Sequence, residues 1–282
     1  MFQRHRVQVW LKRDDLLHPH ISGNKWRKLK YNLSPGLERV YSLGGAYSNH
    51  LLALAYAAKA QGLASVGVIS GAYGPLTPTL LQAKALGMQL VNVSRQHALA
   101  LEQPAAQQDL MTVHGPGVWL PLGGANLAAT RGCAEVVAEI QLPFNSLWCA
   151  VGSGATCAGL ALGVAADQEV VGVPMVKDRR LAEHIQQLIT LGGGCHGRWR
   201  LLSGYEARFA RPSAALIHFI RQQEQRQRIL LDGSYSAKLW QACFNEIASG
   251  RYDGQTLVLL HTGGLQSRYG LPDEYFKTEV LQ

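Results

Sequence analysis

The chain has 282 residues, 47% of them hydrophobic, with 30 glycines and 27 Lys and Arg against 19 Asp and Glu, a formal charge of +8. That length and apolar content support a large buried core and exclude a disordered chain. The cations scatter over 25–30, 177–180 and 221–228 without interleaved aromatics, which is the pattern of surface charge and attraction for anionic ligands, not of a nucleic-acid surface.

In chain order, Val7-Gln8-Val9-Trp10-Leu11 is strand-like and leads to Ser22-Gly23-Asn24-Lys25-Trp26-Arg27-Lys28, where a lysine follows a glycine turn at a helix start. Val40-Tyr41-Ser42-Leu43 is a strand ending at Gly44-Gly45. Ser48 then caps a helix running through Leu51, Leu54, Ala55 and Ala58 to Gly62. A strand at 65–69 precedes a helix opened by Thr77-Pro78 and closed by Gly87, and a strand follows at 89–93. A helix near 98–112, the strand Val118-Trp119-Leu120-Pro121 and the turn Gly123-Gly124 complete this stretch. Such punctuation predicts a small α/β domain with a parallel sheet over 36–126, inserted in a larger domain formed by 1–35 and 127–282. The larger domain carries strands at 146–150, 170–173 and 256–260, and a glycine-rich surface loop at 192–197.

Cys133, Cys149, Cys157, Cys195 and Cys243 are odd in number and have no Cys-x-x-Cys or metal-ligand spacing, so structural thiols in a reducing compartment are expected. His18-Pro19-His20 reads as a surface loop with no third metal ligand nearby. No apolar signal core begins the sequence and no run approaches the ~20 apolar residues of a membrane span, so a cytosolic protein is expected.

Five stretches carry chemistry. Lys25 lies where partial desolvation lowers an amine toward its nucleophilic form, and Lys28 follows on nearly the same helical face. Taken alone, the stretch also reads as a basic, solvated first turn. Val151-Gly152-Ser153-Gly154-Ala155-Thr156 joins an apolar strand to a helix, where amides and hydroxyls can cradle a phosphate. Its glycine spacing departs from the dinucleotide G-x-G-x-x-G pattern and lacks a Walker lysine, and such a turn is as often a packing feature. Gly44-Gly45-Ala46-Tyr47-Ser48-Asn49-His50 opens onto a helix with polar groups suited to a carboxylate. Asp232-Gly233-Ser234-Tyr235-Ser236 and His261-Thr262-Gly263-Gly264 form further polar clusters.

Together, Ser22–Lys25 with Arg27-Lys28-Leu29, Ser48-Asn49-His50, Gly123-Gly124-Ala125-Asn126, Gly152–Gly159, Tyr235 with Lys238, and His261–Gly264 resemble the fold-type-II pyridoxal-phosphate enzymes. Within these, the resemblance is to the 1-aminocyclopropane-1-carboxylate deaminase and D-cysteine desulfhydrase family. It implies a two-lobed α/β fold like the tryptophan synthase β chain, with the larger domain binding pyridoxal 5'-phosphate. The implied activity is a lyase or deaminase converting a small amino acid to a keto acid and ammonia, and the implied assembly is a homodimer. Carried over, Lys25 forms the Schiff base and Lys28 neutralises the phosphate, which Gly152, Ser153, Gly154, Ala155 and Thr156 cradle. Asn49 bonds the phenolic oxygen, and Ser48, with Asn49 and His50, meets the substrate. Tyr235 covers the reacting carbons, Ser236 faces the pyridine nitrogen, and Thr262 and Gly263 line the other side. Relatives carry a second tyrosine shortly after a proline, where this chain has Ala214; Tyr47 and Tyr205 are the candidates to replace it. A cofactor-binding protein without turnover is the competing expectation.

Overall fold

Residues 1–71, 74–205 and 211–270 are described in a computed structural model of the chain. The strands are β1 Gln8–Arg13, β2 Arg39–Gly44, β3 Ala64–Ser70, β4 Gln89–Val93, β5 Val118–Leu120, β6 Ser146–Val151, β7 Glu169–Pro174, β8 Arg198–Leu201 and β9 Thr256–His261. The helices are α1 Phe2–His5, α2 Asn24–Lys30, α3 Asn49–Ala60, α4 Pro78–Ala85, α5 Arg95–Ala100, α6 Pro104–His114, α7 Leu127–Ala138, α8 Ala155–Gly163, α9 Leu181–Leu191, α10 Ala214–Gln227 and α11 Ser236–Ala248. A five-stranded sheet runs β1-β9-β6-β7-β8 and a four-stranded sheet runs β4-β3-β2-β5, with parallel pairing throughout both.

The sequence pattern explains the layering. β6 is buried along its whole length, as a central parallel strand covered on both faces must be, whereas β1 at the sheet edge alternates exposed and partly buried residues. Trp148, Leu147, Leu160 and Val170 are fully buried around the large sheet, each large side chain contributing roughly 1.5–3 kcal/mol. Leu51, Leu54, Ile69 and Leu120 do the same for the small one.

Two elements differ from the sequence expectation. The helix expected near 98–112 is two helices, because Pro104 supplies no N–H and holds Gln103 extended at φ −96, ψ 134. β8 was absent from that expectation; its Arg198-Trp199-Arg200-Leu201 alternation marks an edge strand, paired with β7 alone.

Helix α2 has only seven residues and no side-chain cap at Gly23, so its placement depends on tertiary contacts. Arg27 supplies them. Its Nε and Nη2 donate to the fully buried Asp14 carboxylate at 2.6 and 2.9 Å, and its Nη1 and Nη2 donate to Glu139 at 2.8 and 2.7 Å. Lys12 Nζ completes the cluster at 2.9 Å from Asp14 and 2.8 Å from Glu139. The network joins β1, α2 and α7.

Hydrogen bonding from Arg27 holds the Glu139 carboxyl down at about 2. A carboxyl depressed in the folded state stabilises above its unfolded value, and that contribution disappears as pH falls through the folded one. Urea midpoints should therefore fall less from about pH 5 to about pH 2 in Glu139→Gln than in the unmodified protein. Identical pH profiles would show that this pair does not contribute.

Candidate active site

In parallel α/β sheets, ligands collect at the carboxyl ends of the strands. Here the turns after β2, β6, β7 and β9 meet the start of α2 around one cavity of about 490 Å³. It is lined by Lys25, Lys28, Ser48, Asn49, His50, Gly152, Ser153, Gly154, Thr156, Tyr235, Thr262 and Gly263. These candidates, separated by up to most of the chain length, are brought together.

Gly23 sets the approach of Lys25. It adopts φ +62, and a Cβ there would lie 1.7 Å from the Thr262 carbonyl oxygen, so the turn before α2 packs directly on the turn after β9. The Asn24 amide donates to that same carbonyl at 3.3 Å, and Asn24 Nδ2 donates to Thr156 Oγ1 at 2.9 Å. Lys25 is partly buried and its Nζ donates to Asn24 Oδ1 at 3.1 Å. Desolvation first, and the nearby Lys28 charge second, hold the Lys25 ammonium well below the usual lysine range. The neutral, nucleophilic amine is thus easier to reach than at an exposed lysine.

Lys28 is buried and donates to Ser153 Oγ at 3.2 Å and to the Gly123 carbonyl at 3.1 Å. Desolvation lowers its ammonium too. The turn it touches opens α8, whose N-cap Gly154 provides no side-chain cap. The first amides of that nine-residue helix have no side-chain acceptor, and together with Lys28 they form a cradle for a phosphate dianion. Thr156 lines the cavity, whereas the Ala155 methyl points into the core of the large sheet; of Ala155, only the backbone is suited to the cradle.

On the opposite wall, Ser48 caps α3, its Oγ accepting the Leu51 amide at 3.2 Å, which leaves the hydroxyl proton available. Asn49 Nδ2 donates to the Gly264 carbonyl at 3.2 Å and retains a second N–H, as a bond to a phenolic oxygen requires. Asn49 Oδ1 and His50 Nδ1 are buried polar atoms without partners. Such atoms beside a cavity mark where a ligand belongs. Burial first, then the charges of Lys25 and Lys28, push His50 well below the usual histidine range, so its imidazole is neutral. These features fit pyridoxal phosphate: an amine, an anion cradle and a polar wall within one cavity.

Tyr235 stands over Gly152, where a Cβ would come within 3.3 Å of the ring. Burial first and Asp232 second push its phenol up, so it stays protonated. The expectation for Ser236 requires correction. It lies outside the cavity lining, because its hydroxyl donates to Asp232 Oδ1 at 2.8 Å and accepts the Asp232 amide at 2.7 Å. Asp232, fully buried, also takes the amides of Ser234, Tyr235 and Ser236 and the Ser267 hydroxyl. It is a capping carboxylate for α11, and Ser236 belongs to that cap. The hydroxyl-bearing residues lining the cavity on this side include Ser234, Thr262 and Ser267, the last with its proton given to Asp232.

Ala214 is exposed at the first position of α10 and lies outside the cavity lining. Of the candidate substitutes, Tyr47 lines the cavity, while the Tyr205 hydroxyl takes a hydrogen bond from Asn245 at 3.2 Å, away from it. Asp178 and His184, from the segment following β7, and Ser267 were missed by sequence reasoning. They sit in no motif, and only the fold delivers them. His261 supports the turn after β9, with Nε2 on the Leu230 carbonyl at 2.9 Å and Nδ1 accepting the Gly263 amide at 3.1 Å.

The sequence profile of the pyridoxal-phosphate dependent enzymes matches residues 1–263. The bifunctional D-cysteine desulfhydrase/1-aminocyclopropane-1-carboxylate deaminase of Arabidopsis thaliana is 26% identical, over 95% of this chain and 75% of its own length. A D-cysteine desulfhydrase of Salmonella choleraesuis is 27% identical, over 91% of this chain and 87% of its own. The crystal structure of an ACC deaminase homologue superposes with a TM-score of 0.85 at 26% identity, covering 98% of this chain and 90% of that one.

Proposed function

Since the chain belongs to the pyridoxal-phosphate dependent enzyme family, we propose that it is a lyase acting on a D-cysteine-like amino acid. The overall change consumes D-cysteine and water and releases pyruvate, ammonia and sulfide. The observation that carries this reading is a depressed, partly buried Lys25 amine in the same cavity as the Lys28–Gly154 anion cradle.

When bound, pyridoxal phosphate supplies an electron sink for charge developing at the substrate Cα. The chain's own groups do the remaining work. Lys28, Gly152–Gly154 and Thr156 hold the phosphate, and the second N–H of Asn49 is available to the phenolic oxygen. Ser48 and the first amides of α3 orient the substrate carboxylate. Lys25 Nζ, its ammonium disfavoured by burial and then by Lys28, takes the proton from Cα and is the general base. Tyr235, kept protonated, lies on the wall toward which the departing sulfur can be assisted. The division into a smaller domain at 36–126 and a larger one at 1–35 and 127–282, the homodimeric assembly and a cytosolic setting belong to the same reading. Among the described residues, no helix is long and apolar enough to cross a membrane.

The side chains facing the cavity beside Tyr235 support a thiol substrate over a cyclopropane. The lining there includes the hydroxyl-bearing Ser234 and Thr262, with Ser267 giving its proton to Asp232, and the lining carboxylate, Asp178, stands on the segment after β7. A hydroxyl partner leaves a pyridine nitrogen neutral, a weaker sink that suffices for a thiolate leaving from Cβ. Opening an unactivated ring needs a stronger one. At equal enzyme concentration, sulfide and pyruvate from D-cysteine should outpace ketobutyrate from 1-aminocyclopropane-1-carboxylate by at least about 10-fold, the rate ratio for roughly 1.4 kcal/mol of barrier. Faster ketobutyrate release would overturn the substrate assignment. Absence of product from both, with cofactor bound, would favour a binding protein without turnover.

A further inference from the structure

His50 is 3% exposed, and its Nε2 lies 3.0 Å from the Oγ of the fully buried Ser42 in the middle of β2. Ser42 Oγ also lies 3.0 Å from the Leu120 carbonyl oxygen and 3.4 Å from that of Pro121. A hydroxyl has one proton to give. If His50 Nε2 carried no hydrogen, the Ser42 proton would go to it, and Nδ1–H would be a buried donor with no acceptor, since Nδ1 has no partner. Orphaned buried N–H groups are rarer than under-satisfied acceptors. With the hydrogen on Nε2, His50 donates to Ser42, Ser42 donates to Leu120, and the one unmet group is a lone pair on Nδ1. Burial first, and then the charges of Lys25 and Lys28, disfavour the doubly protonated form.

We propose that Ser42 is a positioning residue that fixes His50, a residue of the cavity lining, as its Nε2–H tautomer, leaving the unpartnered Nδ1 as an acceptor for the amino group of the incoming amino acid. A bare Nδ1 repels a carboxylate, so His50 cannot share the task of Ser48. The start of α3 then reads the two ends of a zwitterion separately. The Ser48 hydroxyl and helix amides are donors for the carboxylate, while His50 Nδ1 and Asn49 Oδ1, both buried and unpartnered, are acceptors for the ammonium. An α-amino acid satisfies both sets, and a simple carboxylic acid leaves the acceptors empty. This assignment rests on the lyase reading for its ligand, but the tautomer does not.

The test is nitrogen NMR of histidine-labelled holoenzyme, with His50→Asn identifying the resonances. The expected result is a single Nε2–H form whose Nδ1 resonance shifts when alanine of either hand, which has no leaving group, is added, and stays put with propionate. In Ser42→Ala the tautomer preference should relax and KM for the amino acid rise about tenfold, the loss of one hydrogen bond, with a smaller change in kcat and the cofactor's visible absorbance retained. An Nδ1–H form, an Nδ1 indifferent to alanine, or an unchanged KM in Ser42→Ala would overturn the proposal. If the shift with alanine occurs but no amino acid yields keto acid, the lyase reading fails and the recognition of the amino group stands.

Discussion

Replacing Lys25 with alanine should abolish the visible absorbance of the cofactor-loaded protein and lower turnover by about 10⁴-fold, the upper range for losing a positioned proton-transfer group. Two properties make this lysine different from its neighbours. It is the first lysine after the Gly23 turn, at the cavity wall, and its ammonium is the one depressed by both desolvation and a second cation. Lys28 lies one helical turn on, but its Nζ is committed to Ser153 and Gly123 at the phosphate turn. Lys28→Ala should therefore keep the absorbance and weaken cofactor retention by about 10- to 100-fold, as expected for one charged hydrogen bond. Spectra during dialysis measure both effects. A Lys25→Ala protein that still forms a borohydride-reducible adduct at another lysine would sink the assignment.

Gly23→Ala should be the most damaging substitution outside the catalytic groups, costing about 3 kcal/mol or more of stability together with cofactor binding. The position has φ +62, which an L side chain adopts only with strain. More decisive is that the added Cβ would lie 1.7 Å from Thr262 O and 2.1 Å from Thr262 C. These are backbone atoms at the end of β9, a central strand paired with β1 and β6, so they cannot swing aside as a flexible side chain would. Relief requires moving α2 away from β9, which shifts Lys25 and breaks the Asn24 amide bond to Thr262. A comparison with Gly36→Ala separates sterics from conformational strain: Gly36 also has positive φ, at +88, but nothing stands near its would-be Cβ. Gly36→Ala should cost about 1 kcal/mol and leave the absorbance intact. Equal losses for the two variants would mean that the contact with β9 is unimportant.

Much of this architecture is legible in the chain because its causes are local. Thr77-Pro78 starts α4, Ser48 caps α3, and the apolar run at 146–151 forms a central strand, each through contacts within a few residues. The same holds for Lys25 behind its glycine turn and for the glycine turn opening α8. These local rules, and the family resemblance of the motifs in order, determine the α/β class and the cofactor and single out the residues proposed to hold it. Local reasoning failed where two local signals competed. Pro104 divided a helix that hydrophobic spacing alone would continue, and Asp232, four residues before Ser236, captured a hydroxyl that motif order assigns to the cofactor.

Tertiary structure decided the rest, because the groups concerned meet across long separations. Gly23 matters through a carbonyl at position 262, and Lys28 acquires its partners from 123 and 153. Asp178, His184 and Ser267 reach the cavity from segments with no chemical signature, and of the two candidates for a second tyrosine it is Tyr47, not Tyr205, that lines the cavity with Tyr235. Ser42 in sequence is merely a polar residue within an apolar strand. Only the packing of α3 and β5 on β2 places His50 and the Leu120 carbonyl on either side of its hydroxyl, and hydrogen-bond direction follows from which neighbours are present.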